Sequence, residues 1–189
     1  AGTGAETQQI SFGLSAVRNV GEGLVELIVE ERDAHGPFTD FYDFCERVNT
    51  NVLNKRTVES LIKAGAFDSF GHPRQGLLTV FEQIVDQTVA RRRERDMGVM
   101  SLFGEVEGEA AFDERVVIPT LEFDKKQRLA FEKEMLGLYV SDHPLLGAER
   151  ALAKKVDCTL LDLSELDDGA MRTVGGVITN LQRKWTKKG

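Results

Sequence analysis

A short turn with two glycines, Asn19-Val20-Gly21-Glu22-Gly23, is the part of the sequence best suited to binding a ligand. Apolar residues recur at helical spacing on both sides of it: Phe12, Ala16 and Val17 before, and Leu24, Leu27 and Ile28 after. Glycines allow positive φ and remove side chains, so main-chain N–H groups at the start of the second helix could meet a phosphate. The pattern predicts a helix-hairpin-helix that holds a nucleic-acid backbone through Val20, Gly21, Glu22, Gly23 and Leu24, without reading bases. A plain αα-hairpin with a glycine turn is the alternative.

The elements that must position this turn follow the same plan twice. The spacing predicts helices over 11–18 and 23–33, a helix capped by Thr39 or Asp40, and helices over 55–64 and 74–95. A single hairpin cannot bury its apolar stripe, whereas two hairpins related by a pseudo-twofold can. We therefore expect a mainly α fold with two phosphate-facing turns on one side.

The second turn is less regular than the first. Gly65 and Gly71 are separated by the apolar Phe67 and Phe70, so the loop could face a phosphate or could only pack. Basic residues lie nearby: Lys55, Arg56 and Lys63. They could reach a backbone phosphate as point charges, or they could simply be solvated.

Composition limits the classes of function. The net charge is −7, but residues 169–189 carry five lysines and arginines and no acid, so local DNA contact remains possible because distant charges are screened. The balance argues against tight independent DNA binding by the whole chain. No membrane span or signal peptide is predicted, which favours a cytoplasmic protein. Cys45 and Cys158 are predicted to be reduced core thiols, and no metal-binding pattern is present.

An apolar run, Val99-Met100-Ser101-Leu102-Phe103, follows the second hairpin and precedes an acidic stretch. An extended peptide that ends in two large apolar anchors is a form in which a segment fills a partner's pocket. Packing of Leu102 and Phe103 onto the helical core is the alternative.

The remaining sequence predicts a helix over 121–138, then a turn at His143, a short helix, an acidic connector and a strand over 171–185. His143 lies between Asp142 and Pro144 and is better explained as part of a turn than as a catalytic group. The predicted organisation is a disordered or expression-derived leader at 1–9, paired hairpins at 10–96, a peptide-bearing loop at 97–120, a helical connector at 121–168 and an incomplete final domain at 169–189.

Three blocks of this sequence, Phe12 to Gly23, Leu53 to Asp68 and Glu132 to Leu145, closely resemble the alpha subunits of bacterial DNA polymerase III, the C-family replicative polymerases. The blocks come in that family's order and spacing, and the resemblance runs from about residue 10 to the end. It implies a tandem helix-hairpin-helix domain that grips duplex DNA leaving the active site, followed by a linker helix and the first strands of an OB-fold.

The resemblance also implies partners. Residues 99–103 correspond to the peptide that binds the ring-shaped sliding clamp, the beta subunit, with Val99 where glutamine is expected. Loss of the amide should weaken anchoring by about 1 to 3 kcal/mol if its hydrogen bonds are buried. The basic tail resembles the start of an OB-fold that binds single strands, with Lys184 and Trp185 as candidate contacts. Other replisome subunits would be reached through the parent protein.

Catalysis is expected elsewhere in such a parent. The family holds two Mg²⁺ ions on three carboxylates in an upstream palm domain, and no such constellation occurs in this sequence. We therefore expect this segment to have no catalytic residue, cofactor, metal or small-molecule substrate, and no polymerase activity of its own. Two alternatives remain: the same region of an error-prone translesion C-family polymerase, or a helical adaptor that binds another protein.

Overall fold

Helices provide the regular structure of the residues that the computed structural model describes, which are 12–97, 115–178 and 181–184. The helices are α1 (Glu22–His35), α2 (Phe41–Arg47), α3 (Lys55–Ala64), α4 (Arg74–Asp96), α5 (Lys125–Leu136) and α6 (Glu149–Ala153). Short 3₁₀ turns occupy Leu14–Ala16, Asp68–Phe70 and Asp162–Glu165. The predicted leader at 1–9, the peptide at 99–103 and Trp185 lie outside the described residues.

Capping residues set the helix ends. Asp40, Asn54 and Asp124 precede α2, α3 and α5, and their side chains accept hydrogen bonds from main-chain N–H groups of the first turn. Gly65 and Gly137 end α3 and α5 in the left-handed conformation that glycine adopts without strain. These local signals are why α3 is found over the predicted residues. Helix α4 ends within one residue of its prediction.

The chain divides into two compact units, and the first runs to Tyr139. Its core is formed by the facing sides of α2, α3 and α4 together with the loop after α3. Phe67 of that loop packs edge-on against Phe41 and Phe44, with ring centroids 5.1 and 4.9 Å away. Other fully or nearly fully buried residues are Val48, Val52, Val58, Leu61, Ile62, Leu77, Phe81, Ile84 and Val85.

Helix α5 belongs to this core and is not a free-standing linker. Leu129, Glu132 and Met135 are buried, and α5 packs along α3. The first unit therefore extends well beyond the predicted end of the hairpin domain at residue 96.

Three expectations are wrong among the described residues. The predicted helix over 11–18 is only the 3₁₀ turn Leu14–Ala16. The predicted strand has no strand structure over 171–178 or 181–184, because a strand needs a neighbour to complete its hydrogen bonds. Cys158 is half-buried and not a core residue, whereas Cys45 is free and fully buried, and burial raises the pKa of its thiol to about 12.

A buried ion network joins the elements of the first unit. The Arg74 guanidinium, 5% exposed, contacts Glu132 Oε1 at 3.0 Å and both carboxylate oxygens of Asp68 at 2.8 and 2.6 Å. Glu132 is fully buried. One side chain of α4 thus connects α5 to the loop that follows α3.

Removing one partner of this network should be costly. We expect Arg74→Ala to lower the free energy of unfolding by about 3 to 5 kcal/mol, because it removes a counter-ion of the fully buried Glu132 carboxylate and breaks the ion pair with Asp68. Replacing both groups with apolar residues, Arg74→Met with Glu132→Leu, should restore much of that loss. Urea denaturation measures both variants, and equal destabilisation by the single and double replacements would contradict the network's role.

Candidate nucleic-acid interface

The first turn leads directly into α1. Gly21 is the N-cap, with φ −79° and ψ 154°, and the helix begins at Glu22. The positive φ belongs to Asn19, at 66°, and not to either glycine. The expectation that Gly21 and Gly23 provide positive φ is therefore wrong.

The absence of side chains at Gly21 and Gly23 leaves the space beside the main chain open. A Cβ added at Gly21 or Gly23 would meet no atom of the described chain within 4 Å. Both residues are exposed, and so is Glu22 between them. Glycine at these positions keeps the main chain open to approach by a large ligand.

The start of α1 has donors to offer such a ligand. Leu24 N–H and Val25 N–H donate to the Gly21 carbonyl at 3.0 and 3.2 Å, but the first N–H groups of a helix have no intrahelical acceptor. No side chain among the described residues caps this end. The N–H groups of Glu22 and Gly23 therefore lie at the positive end of the helix dipole, where anions bind. Glu22 is the one acidic residue of this first turn.

The turn is held rigidly by neighbouring elements. Asn19 Nδ2 donates to Ser60 Oγ at 3.0 Å, and Arg18 N–H donates to the Met135 carbonyl at 2.8 Å. Val17 and Val20 are buried beneath the turn. The α1 N-terminus is thus fixed against α3 and α5 before any ligand arrives.

The three predicted basic residues differ in availability. Lys55 Nζ is paired with Asp86 at 2.9 Å and Glu82 at 3.2 Å, and Lys63 Nζ is paired with Glu59 at 2.6 Å. Arg56 is exposed, and its guanidinium has no acidic partner among the described residues. It lies one helical turn before Ser60, the residue that holds Asn19, and so on the side of α3 next to the first turn. Arg18, exposed within the turn itself, was not among the predicted residues.

The second turn is packed at Gly65 and Phe67 and has an open backbone at Gly71. Gly65 has φ 82°, and a Cβ there would lie 2.2 Å from Arg74 Nη2, so the guanidinium covers it. Phe67 is 4% exposed within the aromatic core. Gly71, with φ 76°, is exposed, and a Cβ there would meet no described atom within 4 Å.

The N-terminus of α4 is closed by residues 116–122, which we call the strap. Arg74 N–H donates to Glu122 Oε2 at 3.1 Å, and Gly76 N–H donates to the Leu121 carbonyl at 3.0 Å. Gly76 has no room for a side chain, because its Cβ would lie 1.9 Å from the Pro119 carbonyl oxygen. The strap's carboxylate and carbonyl occupy the donors that a phosphate would need, so the two hairpins are not equivalent.

The other predicted contacts fall elsewhere. Lys184 is exposed in the second compact unit, while residues 99–103 and Trp185 lie outside the described chain. Within residues 12–97, 115–178 and 181–184, no group of three or more potential metal ligands is found. None of the helices in those ranges is long and apolar enough to cross a membrane.

A sequence family matches the first part of the chain. Residues 1–77 match the sequence family described as "Helix-hairpin-helix motif". The chain therefore carries a helix-hairpin-helix module, in which the open turn before α1 is the feature suited to a ligand.

The similarity to particular proteins extends further along the chain. The chain is 42% identical over 183 residues to the DNA polymerase III subunit alpha of Mycobacterium leprae, and 41% identical over 188 residues to that of Mycobacterium tuberculosis. The Thermus aquaticus protein of the same name is 39% identical over 186 residues. These matches cover 95 to 96% of this chain but only 15 to 16% of each relative, so the chain spans about one sixth of their length.

A substitution at Gly76 tests whether the strap closes the second hairpin. We expect Gly76→Ala to lower stability by about 1 to 3 kcal/mol, because the added methyl overlaps the Pro119 carbonyl and forces the strap away. Gly176→Ala is a matched control, since a Cβ there meets no described atom within 4 Å. Urea denaturation compares the two, and wild-type stability of Gly76→Ala would show that the strap is not seated on α4.

Proposed function

We propose that this chain is a duplex-binding segment of a DNA polymerase III alpha subunit, acting in chromosomal replication. The open, rigidly held N-terminus of α1 is the observation that supports the proposal most strongly. The helix-hairpin-helix match and the identity to polymerase alpha subunits over nearly the whole chain agree with it. The segment would hold the sugar-phosphate backbone of DNA and so position it for a polymerase.

The proposed contact is independent of base sequence. Main-chain N–H groups of Glu22 and Gly23 would donate to a phosphate oxygen, and Arg56 and Arg18 would supply charge beside it. Contacts of this type suit a protein that must follow DNA through any sequence. The net charge of −7 keeps the affinity of the isolated chain modest. The affinity falls as salt rises, because Arg56 and Arg18 release counter-ions from the phosphates that they contact.

The rest of the function lies in neighbouring parts. We propose that residues 99–103 bind the sliding clamp, and that 169–189 begin an OB-fold in which Lys184 and Trp185 meet single-stranded DNA. The Mg²⁺ ions and catalytic carboxylates would belong to other parts of a longer polymerase, so this segment would position DNA without extending a primer. A cytoplasmic location and contact with other replisome subunits follow from the same proposal.

The two glycines offer a test that separates duplex binding from stability. We expect Gly21→Ala with Gly23→Ala to lower duplex affinity at least tenfold, because the methyl groups keep phosphate away from the N–H donors. Stability should stay within about 1 kcal/mol of the wild type, because alanine favours the helix at position 23 but is a poorer N-cap than glycine at position 21, and neither methyl meets a neighbour. Fluorescence anisotropy with a labelled duplex at low salt measures the affinity, with Gly176→Ala as control.

Retained affinity in the alanine variant, with its stability unchanged, would contradict the proposed phosphate contact. An affinity of the wild-type chain that does not vary with salt would favour the protein-binding adaptor instead.

Two adjacent basic residues form a matched pair. Arg56→Gln should weaken duplex binding about three- to tenfold and reduce the salt slope by about one, because it removes one phosphate contact. Lys55→Gln makes the same change in charge one residue earlier, but Lys55 is already paired with Glu82 and Asp86, so its loss should cost much less. Equal losses for the two variants would show that only net charge matters.

The clamp proposal has a separate test. Leu102→Ala with Phe103→Ala should abolish capture of the chain by an immobilised sliding clamp, whereas Val99→Gln should strengthen capture by restoring an amide where glutamine is expected. Surface plasmon resonance measures both variants against the wild type. If neither the wild type nor Val99→Gln binds the clamp, the alternative that this chain belongs to an error-prone translesion polymerase would be favoured.

A further inference from the structure

The inward-facing stripe of α4 changes from apolar to basic along its length. Phe81, Ile84, Val85 and Thr88 are buried in the first unit. Arg91, Arg92 and Arg95 continue that stripe at the same helical spacing. Arginine thus replaces the core side chains where α4 passes the end of α2.

These arginines line a cleft between α4 and the C-terminal end of α2. The residues around it are Glu46, Arg47, Thr88, Arg91, Arg92 and Arg95. An adjoining part is lined by the turn after α2, Val48–Thr50, and by Asp96, with Arg47, Arg92 and Arg95 shared. Four arginines and the acidic Glu46 therefore line one concave surface of a chain whose net charge is −7.

The charge in this cleft is only partly balanced. Arg92 donates to the Val48 and Cys45 carbonyls at 2.8 and 2.9 Å and also to the Glu46 carbonyl, which satisfies its hydrogen bonds without neutralising its charge. Burial, with a smaller effect from Arg95, lowers the pKa of Arg92. Arg91 meets Glu46 only at 3.5 Å, and Arg95 has no acidic partner among the described residues. Arg47 is already paired with Glu31 and Asp43, each at 3.0 Å, so the positive charge that an anion would stabilise is that of Arg91, Arg92 and Arg95.

We infer that this arginine cleft binds a second phosphate of the nucleic-acid backbone, apart from the site at the start of α1. Planar guanidinium groups suit phosphate oxygens because they donate two parallel hydrogen bonds. The hydroxyl and amide groups of Thr50 and Asn49 at the rim add neutral donors. The inference rests on the proposed DNA binding and extends it by a separate surface.

The length of α1 separates the cleft from the first proposed site. Arg47 Nη2 donates to the carbonyl of Gly36, the residue directly after α1, at 2.8 Å. The cleft thus lies beyond the C-terminal end of α1, whose 14 residues span about 21 Å. That length corresponds to about six base pairs at 3.4 Å each.

The test removes the two most exposed arginines of the cleft. Arg91→Gln with Arg95→Gln should lower affinity for a 16-base-pair duplex about five- to tenfold and reduce the salt slope by about two. Arg150→Gln with Lys154→Gln makes the same charge change on exposed residues outside the cleft and should have a smaller effect. Arg91→Lys with Arg95→Lys should restore the salt slope but only part of the affinity. Circular dichroism of each variant checks that the helices are kept.

The outcomes separate this inference from the proposed function. If the cleft and control variants lose affinity equally while the glycine variants lose more, the cleft inference is overturned and the α1 site stands. If the wild type binds no duplex at low salt, both fail. If the cleft arginines are needed for binding a poly-glutamate peptide but not the duplex, the site serves an acidic protein partner and the inference is again overturned.

Discussion

The buried contact between Arg74 and Glu132 is the interaction on which the arrangement of the first unit depends. A fully buried carboxylate must be paired, and here the Arg74 guanidinium of α4 lies 3.0 Å from the Glu132 carboxylate. Because Arg74 also holds Asp68, the start of α4, the loop after α3 and the middle of α5 are fixed together. Hydrophobic burial provides the stability of this unit, and the ion network fixes which surfaces meet.

That constraint makes the two hairpins unequal. Arg74 lies over Gly65 and fills the space where a second phosphate-facing turn was expected, and the strap takes the free donors of α4. The first hairpin has neither covering, and its donors remain open at the start of α1. The two hairpins that repeat in the sequence therefore differ in the structure: the first turn is open to a ligand, and the second packs against Arg74.

The sequence predicts the helices whose signals are local and misses the features that depend on distant partners. Asn54 before α3 and Gly65 after it mark that helix, because capping is decided within a few residues. The strap could not be predicted, since its contact with Gly76 joins residues more than 40 positions apart. Glu132 was a weak sign of such a distant contact. It lies between Leu129 and Met135 on the buried side of α5, and a buried carboxylate requires a partner. Gly76 within a helix was a second such signal.

The central claim, that main-chain donors at the start of α1 hold DNA while those of α4 do not, is tested most directly by amide chemical shifts. In a ¹⁵N-labelled chain titrated with a duplex at low salt, the account predicts saturable shifts of the Glu22 and Gly23 amides. The chemical shift of the Gly76 amide should not change, because this N–H already donates to the Leu121 carbonyl. Unmoved Glu22 and Gly23 amides at saturating DNA, or shifts confined to the start of α4, would contradict it.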